Sequence, residues 1–90
     1  MEWRIEGFLW LDWVVEKIVE KHGVDPEEAE EAFFNPPYKV RRVESGKYQL
    51  FGRSQDGRYL FIVFAWEGCQ IKVITARDMT DSERRFFGRK

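Results

Sequence analysis

A chain of 90 residues and 10.9 kDa has room for one hydrophobic core and not two, and folding buries roughly 60–65% of its unfolded surface. Apolar residues make up 43% of it, aromatics 17% and charged residues 34%, a composition that excludes a disordered tail. The net charge of −1 hides a division: residues 1–36 hold 3 basic and 10 acidic side chains, giving −7, and residues 37–90 hold 12 and 6, giving +6. Such asymmetry predicts either a cationic face that attracts phosphate or an acidic half neutralised by packing on a basic one.

Trp3, Ile5 and Phe8, separated by Arg4 and Glu6, predict a short first strand. Leu11, Val14, Val15, Ile18 and Val19 then follow the 3.6-residue period, which predicts an amphipathic helix over 11–22 closed by Gly23. Asp25-Pro26-Glu27-Glu28 reads as an N-cap, a first-turn proline and a capping-box carboxylate, opening a second helix over 26–34 that Asn35-Pro36-Pro37 stops. Tyr38–Glu44, Lys47–Arg53, Arg58–Trp66 and Gln70–Arg77 alternate with Ser45-Gly46, Asp56-Gly57 and Glu67-Gly68, the pattern of three consecutive hairpins. Tyr59 to Trp66 is apolar on both faces, as a central strand is. Thr80 with Glu83 is a capping box that opens a last short helix. The expected fold class is therefore α+β, an antiparallel meander packed with two N-terminal helices and one short C-terminal helix, in a single domain over residues 1–90.

Reading Asp56-Gly57 and Glu67-Gly68 as two-residue loops sets Arg58 opposite Arg77 and Arg53 opposite Leu60. Arg53, Arg58 and Arg77 would then emerge together at one end of the sheet. Like charges facing each other across a ladder need an anion between them, supplied by Glu83, Asp56 or Asp78 or by a bound phosphate. His22, the only histidine, sits where it either meets the helix C-terminal dipole or transfers protons. One His, one Cys and no carboxylate cluster leave no metal-ligand set, so neither metal nor cofactor is expected. The single Cys69 points to a reducing cytoplasm, and the apolar runs are far shorter than the ~20 residues of a membrane span. Neither membrane insertion nor export is expected.

Several short motifs occur together in order: Lys21-His22-Gly23-Val24 with Glu28-Ala29, Gly52-Arg53-Ser54 with Gly57-Arg58, Ile74-Thr75-Ala76-Arg77-Asp78-Met79-Thr80, and Glu83-Arg84-Arg85. From about Trp10 to Phe87 the chain thereby resembles the BrnT family of toxins. The resemblance implies a RelE-like small ribonuclease fold, an RNA-cleaving activity that inhibits translation, and a cognate BrnA-like antitoxin as partner. A dimer or a toxin–antitoxin hetero-oligomer is the corresponding assembly.

Metal-independent cleavage of RNA needs a base for the 2′-hydroxyl, cations for the developing phosphorane charge and an acid for the leaving oxygen. Arg58 and Arg77 are the expected charge stabilisers and His22 or Glu83 the proton-transfer group. Lys21, Arg53 and Arg84 are expected to position the RNA backbone. The competing reading is a catalytically inactive BrnT-like module that binds an antitoxin, RNA or another protein. It rests on Leu11, Val14 and Ile18, apolar where the family is polar, and on Phe87, where the family carries a tyrosine.

Overall fold

A computed structural model describes residues 4–89. The elements run β1 (Gly7–Leu9), α1 (Asp12–His22), α2 (Pro26–Ala32), β2 (Lys39–Arg42), β3 (Lys47–Arg53), β4 (Tyr59–Glu67), β5 (Gln70–Asp78) and α3 (Asp81–Gly88). They form one sheet in the order β1-β5-β4-β3-β2. The pairs from β2 to β5 are all antiparallel, as the short turns require. β1 instead runs parallel to β5 along its outer edge, Phe8 beside Ile71, so the sheet is mixed rather than purely antiparallel. This parallel pairing is reached through the long excursion of α1, α2 and β2 to β4, which no local turn signal announces. Of the expected first strand, Trp3 lies outside the described residues and Ile5 precedes β1.

The two faces of the sheet carry separate cores. α1 and α2 cover one face, where Val14, Ile18, Ala29, Ala32 and Phe33 meet Leu50, Leu60, Ile62, Phe64, Ile71, Val73 and Ala76. Phe33 packs edge-on against Phe64, with ring centroids 5.1 Å apart. On the other face Phe51, Phe61 and Met79 form a smaller core, to which Tyr59, Val63, Phe86 and Phe87 contribute. Among the described elements only α3, eight residues long, packs on that side.

Turn geometry decides which side chains reach which face. Gly57, at φ 88°, ends a three-residue loop closed by the Ser54 N–H donating to Arg58 O, which sets Arg53 opposite Tyr59 and not Leu60. The last hairpin turns on Gly68-Cys69 rather than Glu67-Gly68, because Gly68 supplies the positive φ, 64°, that such a turn needs at its first central residue. That displacement of two residues preserves the faces. A bulge at Ile74 then adds one residue between the Phe64·Val73 and Val63·Thr75 pairs. The total displacement is odd, and Arg77 ends opposite Phe61 instead of Arg58.

Candidate functional site

The expected convergence of Arg53, Arg58 and Arg77 is therefore corrected. Arg58 turns to the face covered by α1 and α2, whereas Arg53 and Arg77 turn to the face covered by α3. Arg58 and Arg77 occupy the same end of the sheet on opposite faces, both bonded to Asp78.

Arg58 ties three elements together. Its Nε donates to Asp78 Oδ1 at 2.6 Å, Nη1 to Gly23 O at 2.7 Å and Glu28 Oε1 at 3.0 Å, and Nη2 to His22 O at 3.1 Å and Asp78 Oδ2 at 3.1 Å. All five N–H donors of the guanidinium are engaged. Two of the acceptors are carbonyls at the end of α1, where Gly23 adopts the left-handed conformation at φ 62°, so the cation also meets the negative end of the helix dipole. The hydrogen bond from Arg58 holds the Asp78 carboxyl below the usual carboxylate range; burial opposes the shift, and the charges of Arg58 and His22 reinforce it. His22 joins this end through its carbonyl, which accepts from Arg58, on the opposite side of the sheet from Glu83. Glu28 was not anticipated as a partner, since its capping-box role explained it fully.

Arg77 makes a different arrangement. Its Nη1 donates to Glu83 Oε1 at 2.8 Å and to Asp78 O at 3.0 Å, and its Nη2 to Glu83 Oε2 at 2.9 Å. Among the described residues Nε–H and one Nη2 proton find no acceptor. The guanidinium lies 4.3 Å from the centroid of the Phe61 ring. Glu83 is fixed in turn by the capping box, in which Thr80 N–H donates to Glu83 Oε1 at 2.9 Å and Glu83 N–H donates to Thr80 Oγ1 at 3.2 Å. The hydrogen bond from Arg77 lowers the Glu83 pKa against the opposing effect of burial, with the Thr80 N–H and the Arg77 charge adding to it. Glu83 is accordingly a carboxylate at neutral pH.

Around this pair the α3 face is cationic. Register places Lys39, Arg41, Lys47, Arg53, Lys72 and Arg77 on it, with Glu67 3.9 Å from Lys72 as a carboxylate on the same face, and α3 adds Arg84. Lys39 Nζ donates to Phe86 O and Arg89 O, each at 2.7 Å, and so closes the carbonyl end of α3. Arg41 lies over Phe51 and Phe86, while Arg53 and Arg84 both lie over Tyr59. Lys39, Arg41 and Tyr59 escaped the sequence reading; the alternation of Lys39 and Arg41 about Val40 was the available signal for the first two. Among the described residues the only ion pair joining the acidic and basic halves is Glu28–Arg58, so the charge division persists as a division of the surface. No group of three His, Cys, Asp or Glu residues converges among the described residues. No described helix is long and apolar enough to cross a membrane. Lys21 is exposed at the end of α1, away from the α3 face. Val14 and Ile18 are buried beneath α1, so their apolar character serves packing.

These features define a small α+β protein with helices on one face of a mixed sheet and a capped helix over a cationic second face. Residues 13–83 match the family described as the ribonuclease toxin BrnT of type II toxin–antitoxin systems, and the chain belongs to that family. Membership implies an antitoxin partner and an RNA substrate. The fold matches the crystal structure of the Brucella abortus ribonuclease toxin BrnT with a TM-score of 0.71 at 19% identity, covering 83% of this chain and 97% of that one. A search of curated proteins finds none that matches this sequence.

Proposed function

We infer that this protein is a metal-independent endoribonuclease toxin, working in the cytoplasm and neutralised by a BrnA-like antitoxin in a hetero-oligomer. The observation that supports it most is the Arg77–Glu83 pair at the edge of a cationic face. Arg77 keeps two donors for a phosphate while a carboxylate held in its ionised form lies against it. In this reading Glu83 takes the 2′-hydroxyl proton, the 2′-oxygen bonds to phosphorus as the bond to the 5′-oxygen breaks, and water protonates that leaving oxygen, giving a 2′,3′-cyclic phosphate and a 5′-hydroxyl, while Arg77 stabilises the negative charge that grows on the phosphorus oxygens. Arg53 and Arg84 bind the RNA beside this pair. Arg58, with every donor engaged, holds the end of the sheet in shape, with the His22 carbonyl among its acceptors. The test is incubation of the purified protein with RNA in EDTA: cleavage by wild type and its loss in Arg77→Ala are expected, and intact RNA overturns the enzyme reading. Growth arrest on expression, relieved by the product of the neighbouring gene, is the cellular counterpart.

A second reading, an inactive module that binds an antitoxin or RNA, is favoured by one observation: both central arginines already have carboxylate partners. Intact RNA together with tight binding of the neighbouring gene product would select it.

A further inference from the structure

Arg58 and Arg77 are the only described arginines paired with carboxylates. Among the others, Arg53 and Arg84 share one ring. The Arg53 guanidinium lies 4.8 Å and that of Arg84 4.1 Å from the centroid of Tyr59. Both side chains belong to exposed residues, and among the described residues the sole hydrogen bond of either guanidinium is a long one, 3.4 Å, from Arg53 Nε to Gly57 O. The three residues come from separate elements: Arg53 ends β3, Tyr59 opens β4 directly opposite it, and Arg84 lies in the first turn of α3. The Tyr59 ring is steadied from the side by Phe87, at 6.0 Å between centroids. Gly57 leaves room for this arrangement, since a Cβ there would approach Arg53 Nη2 to 2.9 Å.

We propose that Arg53, Tyr59 and Arg84 form a clamp for one nucleotide of single-stranded RNA, beside the Arg77–Glu83 pair. The inference rests on the RNA-directed reading above and specifies its substrate. Arginine planes stacked on an aromatic ring offer a flat cationic surface on which an unstacked base can lie, and an uncommitted guanidinium also binds phosphate. Arg84 over Tyr59 provides the stacking surface and Arg53 takes the phosphate. Tyr59 and Phe61 share a face two residues apart, about 7 Å along the strand. Arg77 lies over Phe61, so the clamp and the Arg77–Glu83 pair are adjacent. A duplex fits poorly, because its bases are already stacked and a side chain cannot enter the deep groove of A-form RNA.

Fluorescence anisotropy of a short labelled oligouridylate tests this, with an RNA duplex for comparison and every protein carrying Arg77→Ala to suppress cutting. Tyr59→Leu and Arg84→Gln should each weaken single-strand binding roughly tenfold, Tyr59→Phe should bind like its parent, and the duplex should bind more weakly than the single strand. Arg53→Gln should reduce the salt dependence by about one phosphate contact. The clamp is overturned if Tyr59→Leu and Arg84→Gln, shown folded by thermal melting, bind as the parent does, or if the duplex binds equally well. It is also overturned if these variants lose only binding to the neighbouring gene product, which would make the clamp a protein contact. Single-strand binding that depends on the clamp, in a wild type that cuts no RNA, would sustain the clamp and sink the cleavage reading.

Discussion

Arg58 and Arg77 lie at the same end of the sheet with its thickness between them, the first saturated by five hydrogen bonds and the second retaining two free donors. They are joined through Asp78, whose carboxylate accepts from Arg58 and whose carbonyl accepts from Arg77. The roles separate accordingly. Arg58 fastens α1, α2 and β5, while Arg77 presents charge on the open face.

Arg58→Ala should therefore be chiefly a stability variant. It strips Asp78 and Glu28 of their partner and frees the His22 and Gly23 carbonyls. With its side chain 27% exposed, water compensates part of the loss, and about 2 kcal/mol of destabilisation is expected from urea unfolding. Arg58→Lys should recover little of this, since an ammonium cannot reproduce the fork. An Arg58→Ala protein with wild-type stability and no cleavage activity would return Arg58 to the catalytic set.

Arg77→Ala should show the reverse signature. Its side chain is 33% exposed and its lost partner is one carboxylate at the start of a short helix, so the melting temperature should fall little. Cleavage of RNA in EDTA should drop by roughly 10²–10³, the usual consequence of removing a preorganised donor from a developing oxyanion. Glu83→Gln should lose roughly 10²-fold or more if the carboxylate is the base. Undiminished cleavage in Glu83→Gln would move proton transfer to another group.

Acid should loosen this end of the sheet. Asp78 and Glu83 have folded-state pKa values below their unfolded ones, so their contribution is complete above the unfolded carboxylate values, about 4, and is lost as pH falls through the folded values. Arg58 and Arg77 are shifted upward and stay charged throughout, adding no dependence near neutrality. Thermal melts from neutral pH into acid should show the decline, and Asp78→Asn with Glu83→Gln should flatten it at the cost of stability at pH 7. An unchanged acid slope in the double variant would place the dependence elsewhere.

Helix boundaries were legible because their signals are local. Gly23 needs the left-handed conformation, Pro26 fits a first turn, and Thr80 with Glu83 closes a cap, each within four residues. The site was less legible because it depends on counting across turns. Asp56-Gly57 and Glu67-Gly68 looked like two-residue loops, yet the loops close around Gln55–Gly57 and Gly68-Cys69, and the bulge at Ile74 has no glycine to mark it. One odd displacement exchanged the faces of every residue from Thr75 to Asp78 relative to β4. Tyr59 was hidden for the same reason, since its platform role appears only when Arg53 lands opposite it.

The cap at Thr80 links the stability of α3 to the chemistry it would support. Thr80→Ala removes the hydroxyl that accepts the Glu83 N–H, a loss of about 1 kcal/mol for a helix N-cap. α3 is short and none of its residues is fully buried, so without the hydroxyl its first turn rests on the Arg77–Glu83 pair, the Thr80 N–H and the Arg84–Tyr59 contact. Its far end is fastened independently by Lys39 and by the Phe51–Phe86 contact, with centroids 4.8 Å apart. The first turn should therefore fray while the helix stays docked, and Glu83 and Arg84 should move together. Hydrogen exchange should rise at the amides of residues 83 and 84 and change little in β3 and β4. Cleavage and single-strand binding should both fall, because the variant loosens the partner of Arg77 and the stacking arginine at once. If exchange rises as expected while cleavage and binding keep their wild-type values, α3 serves packing alone and the functional centre lies off this helix.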